Sequence, residues 1–440
     1  MAYLSCRHNR LAQEQLKTTK QKIMTRHLTI YITMCSLLTL LPLFTGCTND
    51  DDHQTAVGET AIAFDATMAQ PTATRANNDI NDNAKLSLKS GFGVFGCYTG
   101  LHYYSDSNVH PDFMYNEHVT SSDDGLTWQY SPLKYWPNGE GEATGITGDI
   151  PHYVSFFAYA PWSDNISTSP DTNPAGYCIP SFSNQGELGN PWLTYRLHPD
   201  IAYQIDLLYA SNTQEHPIVD QRKPETDQKV NFCFEHALAC VGDKISIICS
   251  DAIKSQIDNR VRTSTITNAM VVITGIKIEY TLTSKARLVL WNSGEANWQS
   301  IFSEDPVCTR TVTILDPNDP ADDANNMPVY AYNTSIPSAI TQNNDWTGYG
   351  VYYIPIELTG YPQTAKVSIT HSIATYSGSS WKYDAEKTGT ATVNLRDYAD
   401  AYKAGKHLYI NVTLNQVDIA VTAAIAPWIV ITQEVEGEED

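Results

Sequence analysis

The chain has 440 residues and a formal net charge of −21, with 49 acidic residues against 28 lysines and arginines. So negative a chain repels nucleic acid and anionic lipid headgroups, which excludes both as partners bound through charge. Tyrosine is abundant, with 26 residues, while only 18% of residues are charged. This composition is typical of an exported β-rich protein and not of a helical cytosolic enzyme.

The N-terminal region has the features of a secretory signal. Residues 28–44 carry no charge, follow a basic stretch, and form an apolar run too short to span a bilayer comfortably. The run closes with Phe44-Thr45-Gly46-Cys47, which is similar to a bacterial lipoprotein box with phenylalanine in place of the usual leucine. We expect the Cys47 thiol to be acylated and Cys47 to become the mature N-terminus. The alternative is an ordinary signal peptide followed by an unrelated cysteine.

Two flanking features refine the signal region, which we place at residues 1–46. Translation from Met24 would give a signal peptide of ordinary length. An acidic run at residues 50–52 is similar to the surface-export signals of some Gram-negative anaerobes, and it also fits a solvated linker. A lipid-bearing cysteine carries several acyl chains, which together hold a protein firmly on a membrane.

Alternation of apolar and polar residues predicts β-strands along the rest of the chain. The clearest run puts every second residue on one apolar face: Leu408, Ile410, Val412 and Leu414. Similar alternation occurs in residues 419–425, 230–234 and 367–369, and in a run that places on one face Val272, Thr274, Ile276 and Ile278. Many short strands separated by turn clusters favour β-sandwiches.

A change in composition predicts the domain organisation. Residues 212–228 are polar, contain two prolines and show no alternating run. We therefore predict an all-β fold of two tandem β-sandwich domains. The N-terminal domain would span residues 76–215, a linker 216–229, and the C-terminal domain 230–440, ending in an acidic tail.

The cysteines beyond the leader leave two possibilities open. An even number in an exported protein permits disulfides, yet the spacing is loose and a buried free cysteine also serves as a small hydrophobe. Structural zinc is disfavoured because the chain has no CxxC ligand pair. These residues are Cys97, Cys178, Cys233, Cys240, Cys249 and Cys308.

Motifs for catalysis or metal binding are missing from the sequence. The chain has no HExxH, no glycine-rich phosphate loop and no GxSxG elbow between a strand and a helix. His110 and His118 lie near Asp112 and Glu117, but without the usual ligand spacing they fit ordinary surface histidines better than a metal site. We expect no enzymatic activity, no cofactor and no metal.

Several blocks along the chain, in this order, resemble the fimbrillins, lipoprotein pilin subunits of Gram-negative anaerobes that are also called type V pilins. The resemblance runs from about Cys47 to Trp428. The blocks are Ile62-Ala63-Phe64, Thr74-Arg75-Ala76, Phe113-Met114-Tyr115-Asn116, Trp128-Gln129-Tyr130, Tyr135-Trp136-Pro137, and residues 154–161, 206–210, 230–239 and 405–428. Beside the resemblance, Tyr135-Trp136-Pro137 also fits a strand end whose rings fill a core, and His236 fits a hydrogen-bonded histidine at a strand end.

The resemblance implies transthyretin-like sandwich domains that assemble by donor-strand exchange. Residues 47–75 would form a lipidated tether with a removable strand built on Ile62 and Phe64. An arginine-specific protease would cut between Arg75 and Ala76, unless Arg75 is an ordinary loop arginine. The C-terminal strand of the next subunit would then fill the vacancy. In this chain the candidate donor residues are Ile419, Val421, Ile425, Ile429 and Ile431.

The resemblance also implies a function. The chain would be a structural subunit of a fimbria (pilus) that supports adhesion, exposed on the cell outer membrane and anchored there by its lipid, palmitate included. Its partners would be other fimbrial subunits, the arginine-specific protease and a host or bacterial surface ligand. The alternative is a cell-surface β-sandwich lipoprotein that binds glycans or another ligand through exposed tryptophans and tyrosines.

Overall fold

In a computed structural model of this protein, the strands that the structure describes form four sheets. The structure describes residues 60–69, 91–123, 125–137, 152–165, 170, 172–226, 228–263, 265–301, 307–316, 330–334, 345–378, 380–415 and 418–427. All of these residues lie in one unit of the chain, Gly58–Asp440. The statements that follow concern these residues.

The elements follow one another along the chain with few helices between the strands. The first part contains β1 Phe64–Met68, β2 Phe92–Gly100, β3 Met114–Val119, β4 Tyr153–Ala160, α1 Pro174–Cys178, β5 Ser181–Phe182, β6 Trp192–Arg196, a 3₁₀ turn Ile201–Tyr203, β7 Leu208–Ala210, β8 Val230–His236 and β9 Ala239–Cys249. The second part contains α2 Asp251–Thr263, β10 Asn268–Thr283, β11 Lys285–Val289, β12 Asn297–Gln299, β13 Val307–Leu315, β14 Tyr330–Asn333, β15 Asp345–Thr347, β16 Val351–Tyr353, β17 Thr364–Ser377, β18 Ser380–Tyr383, β19 Lys387–Asn394, a 3₁₀ turn Leu395–Asp397, β20 Lys406–Leu414 and β21 Ile419–Pro427. The all-β, sandwich-type fold predicted from the alternation is confirmed.

The first sheet has the strand order β1-β8-β7-β4-β2-β3, and the second has the order β12-β11-β6-β5. The third sheet has the order β13-β10-β17-β18, with β14 beside β10 and β19 beside β17. The fourth has the order β15-β9-β20-β21, with β16 beside β9. Only two of these neighbouring pairs within the described residues are parallel, β1 with β8 and β9 with β20.

The first and second sheets each contain strands from both sides of residues 216–229, the segment predicted as a linker. Strand β8, which we expected to open the C-terminal domain, is hydrogen-bonded within the first sheet between β7 and β1. Part of the expected linker is also docked: the Phe156 N–H donates to the Ile218 carbonyl oxygen at 2.8 Å, and Val154 forms a bridge with Gln221. Hydrogen bonds to the edge of β4 explain how a polar segment without alternation is held in place. The division into two domains stays a prediction.

The alternation of apolar and polar residues predicts which face of a strand packs into the core. In β20 the predicted residues Leu408, Ile410, Val412 and Leu414 are all fully buried. In β10 the predicted single face is wrong. The ladder with β17 skips Thr274, a β-bulge that shifts the alternation by one residue. Val272 therefore packs on the opposite side, against Met270 and Ala374, while Ile276 and Ile278 join the main core.

Helix α2 is amphipathic, with Ile253 and Ile257 buried one turn apart. Asp251 at its start and Arg260 near its end complement the helix dipole. No described helix is long and apolar enough to cross a membrane.

The six cysteines beyond the leader are all unpaired in the structure, and all but Cys308 are buried. Burial raises the pKa of the Cys97 thiol to about 12 and that of Cys249 to about 12. The thiolate is the reactive form of cysteine, so these two thiols act as small apolar side chains of the core.

Candidate functional site: two edge strands and a cavity at their ends

Strand β1 and the segment that leads into it carry the two residues predicted for the removable strand, Phe64 and Ile62, and both side chains lie in the core. Ile62 and Phe64 are each 1% exposed and Ala66 is fully buried, whereas Ala63 between them is exposed. The Phe64 ring contacts three aromatic rings, which we call the aromatic groove. Its members, with centroid distances to Phe64, are Tyr130 at 5.4 Å, Phe156 at 5.6 Å and Phe232 at 5.4 Å.

The backbone of β1 is held mainly from one side. Its ladder with β8 is parallel and runs from Phe64 opposite Val230 to Met68 opposite Phe234. Hydrogen bonds extend this ladder at both ends, from the Val230 N–H to the Ala63 carbonyl oxygen at 2.9 Å and from the Ala69 N–H to the Phe234 carbonyl oxygen at 2.8 Å. In the strand order β1 lies at the edge of the first sheet. Its removal would leave the edge of β8 without hydrogen-bond partners.

The segment that leads into β1 is fastened on its other side by residues 130–136. The Ile62 N–H donates to the Lys134 carbonyl oxygen at 2.8 Å, and the Trp136 N–H donates to the Thr60 carbonyl oxygen at 2.9 Å. The Tyr130 hydroxyl donates to the Ile62 carbonyl oxygen at 2.8 Å. As predicted, the Trp136 ring fills the core, with 4% of the residue exposed, whereas its neighbour Tyr135 is 43% exposed.

Strand β21 contains three of the predicted donor residues and lies at the edge of the fourth sheet. It pairs antiparallel with β20, from Leu414 opposite Ile419 to Lys406 opposite Pro427. Ile419 is 5% exposed, whereas Val421 and Ile425 on the same face are only half-buried. The buried end is packed closely, because a Cβ added at Gly389 would lie 2.6 Å from the Ile419 Cγ2. Beyond Ile419, the side chains on this face of β21 therefore pack against the core from outside and stay partly exposed to solvent.

The other predicted functional residues lie outside the described residues. They are Cys47, Arg75, Ala76, Ile429 and Ile431.

The two histidines of the disfavoured metal site, His110 and His118, contact other side chains. The His118 ring stacks on the Trp162 ring at 3.9 Å, and His110 lies 3.5 Å from Asp112. Among the residues that the structure describes, no group of three or more histidine, cysteine or acidic side chains is placed to hold a metal ion.

A cavity of about 600 Å³ lies where β1 and β21 end. Its lining includes Ala69, which directly follows β1, and Pro427, the last residue of β21. Its charged and aromatic lining consists of two carboxylates, two lysines, a histidine and three larger aromatic side chains: Glu235, Glu295, Lys403, Lys406, His236, Tyr209, Trp298 and Tyr402. Sequence reasoning missed this cavity because its residues come from seven separate parts of the chain and share no motif.

The wall of the cavity is held by hydrogen bonds. His236 Nδ1 lies 2.6 Å from Asp206 Oδ2, which confirms the predicted hydrogen-bonded histidine at a strand end. The Tyr209 hydroxyl lies 3.4 Å from Glu235 Oε2. Burial is the largest cause that raises the pKa of Tyr209 well above its ordinary value, and this carboxylate is the second. The Trp298 indole N–H donates to the Ala237 carbonyl oxygen at 2.8 Å.

Comparison with known proteins finds relatives that match most of the chain. This chain is 24% identical over 360 residues to fimbrium subunit Fim1C of Phocaeicola vulgatus. The aligned region covers 78% of this chain and 83% of that protein. A crystal structure of a fimbrial protein from Bacteroides vulgatus aligns with a TM-score of 0.53 at 18% identity, covering 84% of this chain and 100% of that one, so the two share a fold. No protein-family model matches the chain. The similarity to these fimbrial proteins confirms the resemblance to the fimbrillin family that the ordered sequence blocks indicate.

Proposed function

We propose that this chain is a structural subunit of a cell-surface fimbria, exported as a lipoprotein and assembled by exchange of an edge strand. The observation that carries the proposal is the placement of β1. It fills the aromatic groove with Phe64, yet it belongs to a sheet edge whose ladder joins it to β8 alone. A strand that supplies core side chains from an edge can be replaced by another strand with a similar apolar face.

In this proposal, export precedes processing. The lipid on Cys47 holds the precursor at the outer membrane, and an arginine-specific protease then hydrolyses the bond between Arg75 and Ala76. The released piece carries Ile62 and Phe64. Its departure exposes the aromatic groove and leaves the edge of β8 unpaired, which is unfavourable in water because both apolar surface and backbone polar groups lose their partners.

The C-terminal strand of a neighbouring subunit has the pattern needed to fill this vacancy. Ile62, Phe64 and Ala66 occupy one face of the departing strand at a spacing of two residues. Ile419, Val421 and Ile425, with Ala423 between the last two, continue that spacing on one face of β21, and Ile429 and Ile431 have the same parity in the sequence. Since side chains alternate between the two faces of a strand, such a donor brings one apolar face to the groove while its backbone pairs with β8.

The test is polymerisation of the purified precursor by an arginine-specific protease. Light scattering should show growth for the unmodified chain and a folded monomer for Arg75→Ala, with far-UV circular dichroism as the check on folding. The matched control is Arg262→Ala, since Arg262 is exposed on α2, and this variant should polymerise normally. Polymers that form from Arg75→Ala at the rate of the unmodified chain would contradict the proposal.

A further inference from the structure

The cavity at the ends of β1 and β21 has the dimensions of a ligand site. Its volume of about 600 Å³ lies within the range of about 300–1,000 Å³ that small-molecule sites occupy. Its wall is rigid, because Trp298, His236 and Tyr209 are each held by the hydrogen bonds described above. A fixed wall lowers the entropy lost when a ligand binds.

The lining combines flat apolar surfaces with groups that both donate and accept hydrogen bonds. Trp298 and Tyr402 supply aromatic rings. The carboxylates of Glu235 and Glu295 accept hydrogen bonds, and the ammonium groups of Lys403 and Lys406 donate them. Two carboxylates face two ammonium groups in the lining, the Lys403 ammonium also lies 2.8 Å from Asp400 Oδ1, and His236 is bonded to Asp206. The cavity therefore has no excess of positive charge that would favour an anionic ligand.

We propose that this cavity binds a short uncharged saccharide of one or two sugar rings. A sugar ring has an apolar C–H face that packs on an aromatic ring, and hydroxyl groups that donate to carboxylates and accept from ammonium groups. The cavity offers both kinds of surface within one space. The assignment concerns the unprocessed chain, since the proposed cut after Arg75 would remove Ala69 from the lining, and it would give this form of the subunit a ligand of its own.

The position of the cavity links ligand binding to the two exchangeable strands. Ala69 and Pro427 both form part of its lining. For this reason the experiment uses the unprocessed chain from Cys47 to Asp440, in which both strands are present.

The experiment is saturation-transfer NMR with D-galactose, N-acetyl-D-glucosamine, L-fucose and lactose, with D-glucuronate as the anionic comparison. We expect transfer to at least one of the uncharged sugars and weaker transfer to glucuronate. Glu295→Gln should lower the affinity for that sugar about tenfold, since a hydrogen bond to a charged carboxylate becomes a weaker one to a neutral amide oxygen. Glu295 is exposed, so this variant should remain folded. The matched control is Glu225→Gln, because Glu225 is exposed and does not line the cavity, and its affinity should stay unchanged.

A second variant, Tyr402→Ala, removes one aromatic ring and should also weaken binding, with its folding checked by circular dichroism. Three results would each overturn the proposal. The first is the absence of transfer to every uncharged sugar, and the second is a preference for glucuronate. The third is an affinity that neither Glu295→Gln nor a folded Tyr402→Ala changes.

Discussion

Strands β1 and β21 both lie at the edge of a sheet, but they differ in what they bury. On β1, Phe64 and Ala66 are buried, as is Ile62 just before the strand, and Phe64 contacts three aromatic rings. On β21, Ile419 is buried whereas Val421 and Ile425 are half-buried. An edge position makes a strand removable, and the buried area decides how much stability its removal costs.

Under the proposed exchange, this difference gives the two strands different parts in assembly. Loss of β1 would open the core, so the vacancy would be filled by another strand. Loss of β21 from its own subunit would leave the edge of β20 unpaired and uncover the site of Ile419, but elsewhere it would expose surface that half-buried side chains cover. β21 can therefore pass to a neighbour at a smaller cost in buried apolar area than the loss of β1.

Removal of each strand should give the largest contrast. A chain that begins at Ala76 should form oligomers through its own C-terminal strands, because its groove is open, whereas a chain that ends at Asn415 should remain a folded monomer. The chain with both truncations should be monomeric and the least stable of the three. Light scattering and urea unfolding measure these outcomes. Equal behaviour of the two single truncations would remove the distinction between the strands.

Phe64→Ala should destabilise the unprocessed chain by about 3–5 kcal/mol, since a fully buried aromatic side chain leaves a cavity. The free energy of unfolding in urea is the measurement. Ala63→Ser is the control at the exposed neighbouring position and should change the stability by less than about 0.5 kcal/mol. A loss below about 1 kcal/mol for Phe64→Ala would mean that β1 does not complete the core.

Tyr130→Phe should have an intermediate effect, about 1–2 kcal/mol, because it removes the hydroxyl that donates to the Ile62 carbonyl oxygen. Amide hydrogen exchange in β1 should accelerate, as measured by mass spectrometry. Tyr383 is 57% exposed, so Tyr383→Phe serves as the control and should leave β1 exchange unchanged. Unchanged exchange in Tyr130→Phe would show that this hydroxyl does not fasten the strand.

Val421→Thr should have the smallest effect on the monomer, within about 0.5 kcal/mol, since the side chain is half-exposed there. Polymerisation should nevertheless slow, because the added hydroxyl becomes buried in the apolar groove of the next subunit. Thr422→Val changes the exposed face of the same strand and should not slow growth. Growth kinetics by light scattering separate the two variants, and equal rates would exclude Val421 from the donor face.

Local sequence pattern predicts those parts of the fold that local geometry determines. The alternation in residues 408–414 gives the buried face of β20, and Ile62 and Phe64 prove to be core residues. Pairing between distant strands is not encoded locally. No feature of residues 192–196 indicates that they pair with residues 285–289, or that β8 lies beside β1.

The β-bulge and the cavity could not be predicted from the sequence either. The bulge at Thr274 reverses which residues face the core, although the residue itself fits a regular strand. The cavity joins Glu235 on β8 with Trp298 on β12 and Tyr402 after the 3₁₀ turn, and only the folded chain brings them together. Helix α2 does carry a local signal of a helix, because Ile253 and Ile257 are spaced one turn apart, but the segment has only 13 residues.

The edge position of β1 beside β8 has a consequence for the proposed polymer. A donor from another copy would join two unlike surfaces, the edge of β8 on one subunit and the C-terminal strand of the next, so the contact would be heterologous and would not close by twofold symmetry. A chain of such contacts has a direction. One end of the fibre would always present an open groove and the other an unused donor strand, so growth and capping at the two ends would require different partners.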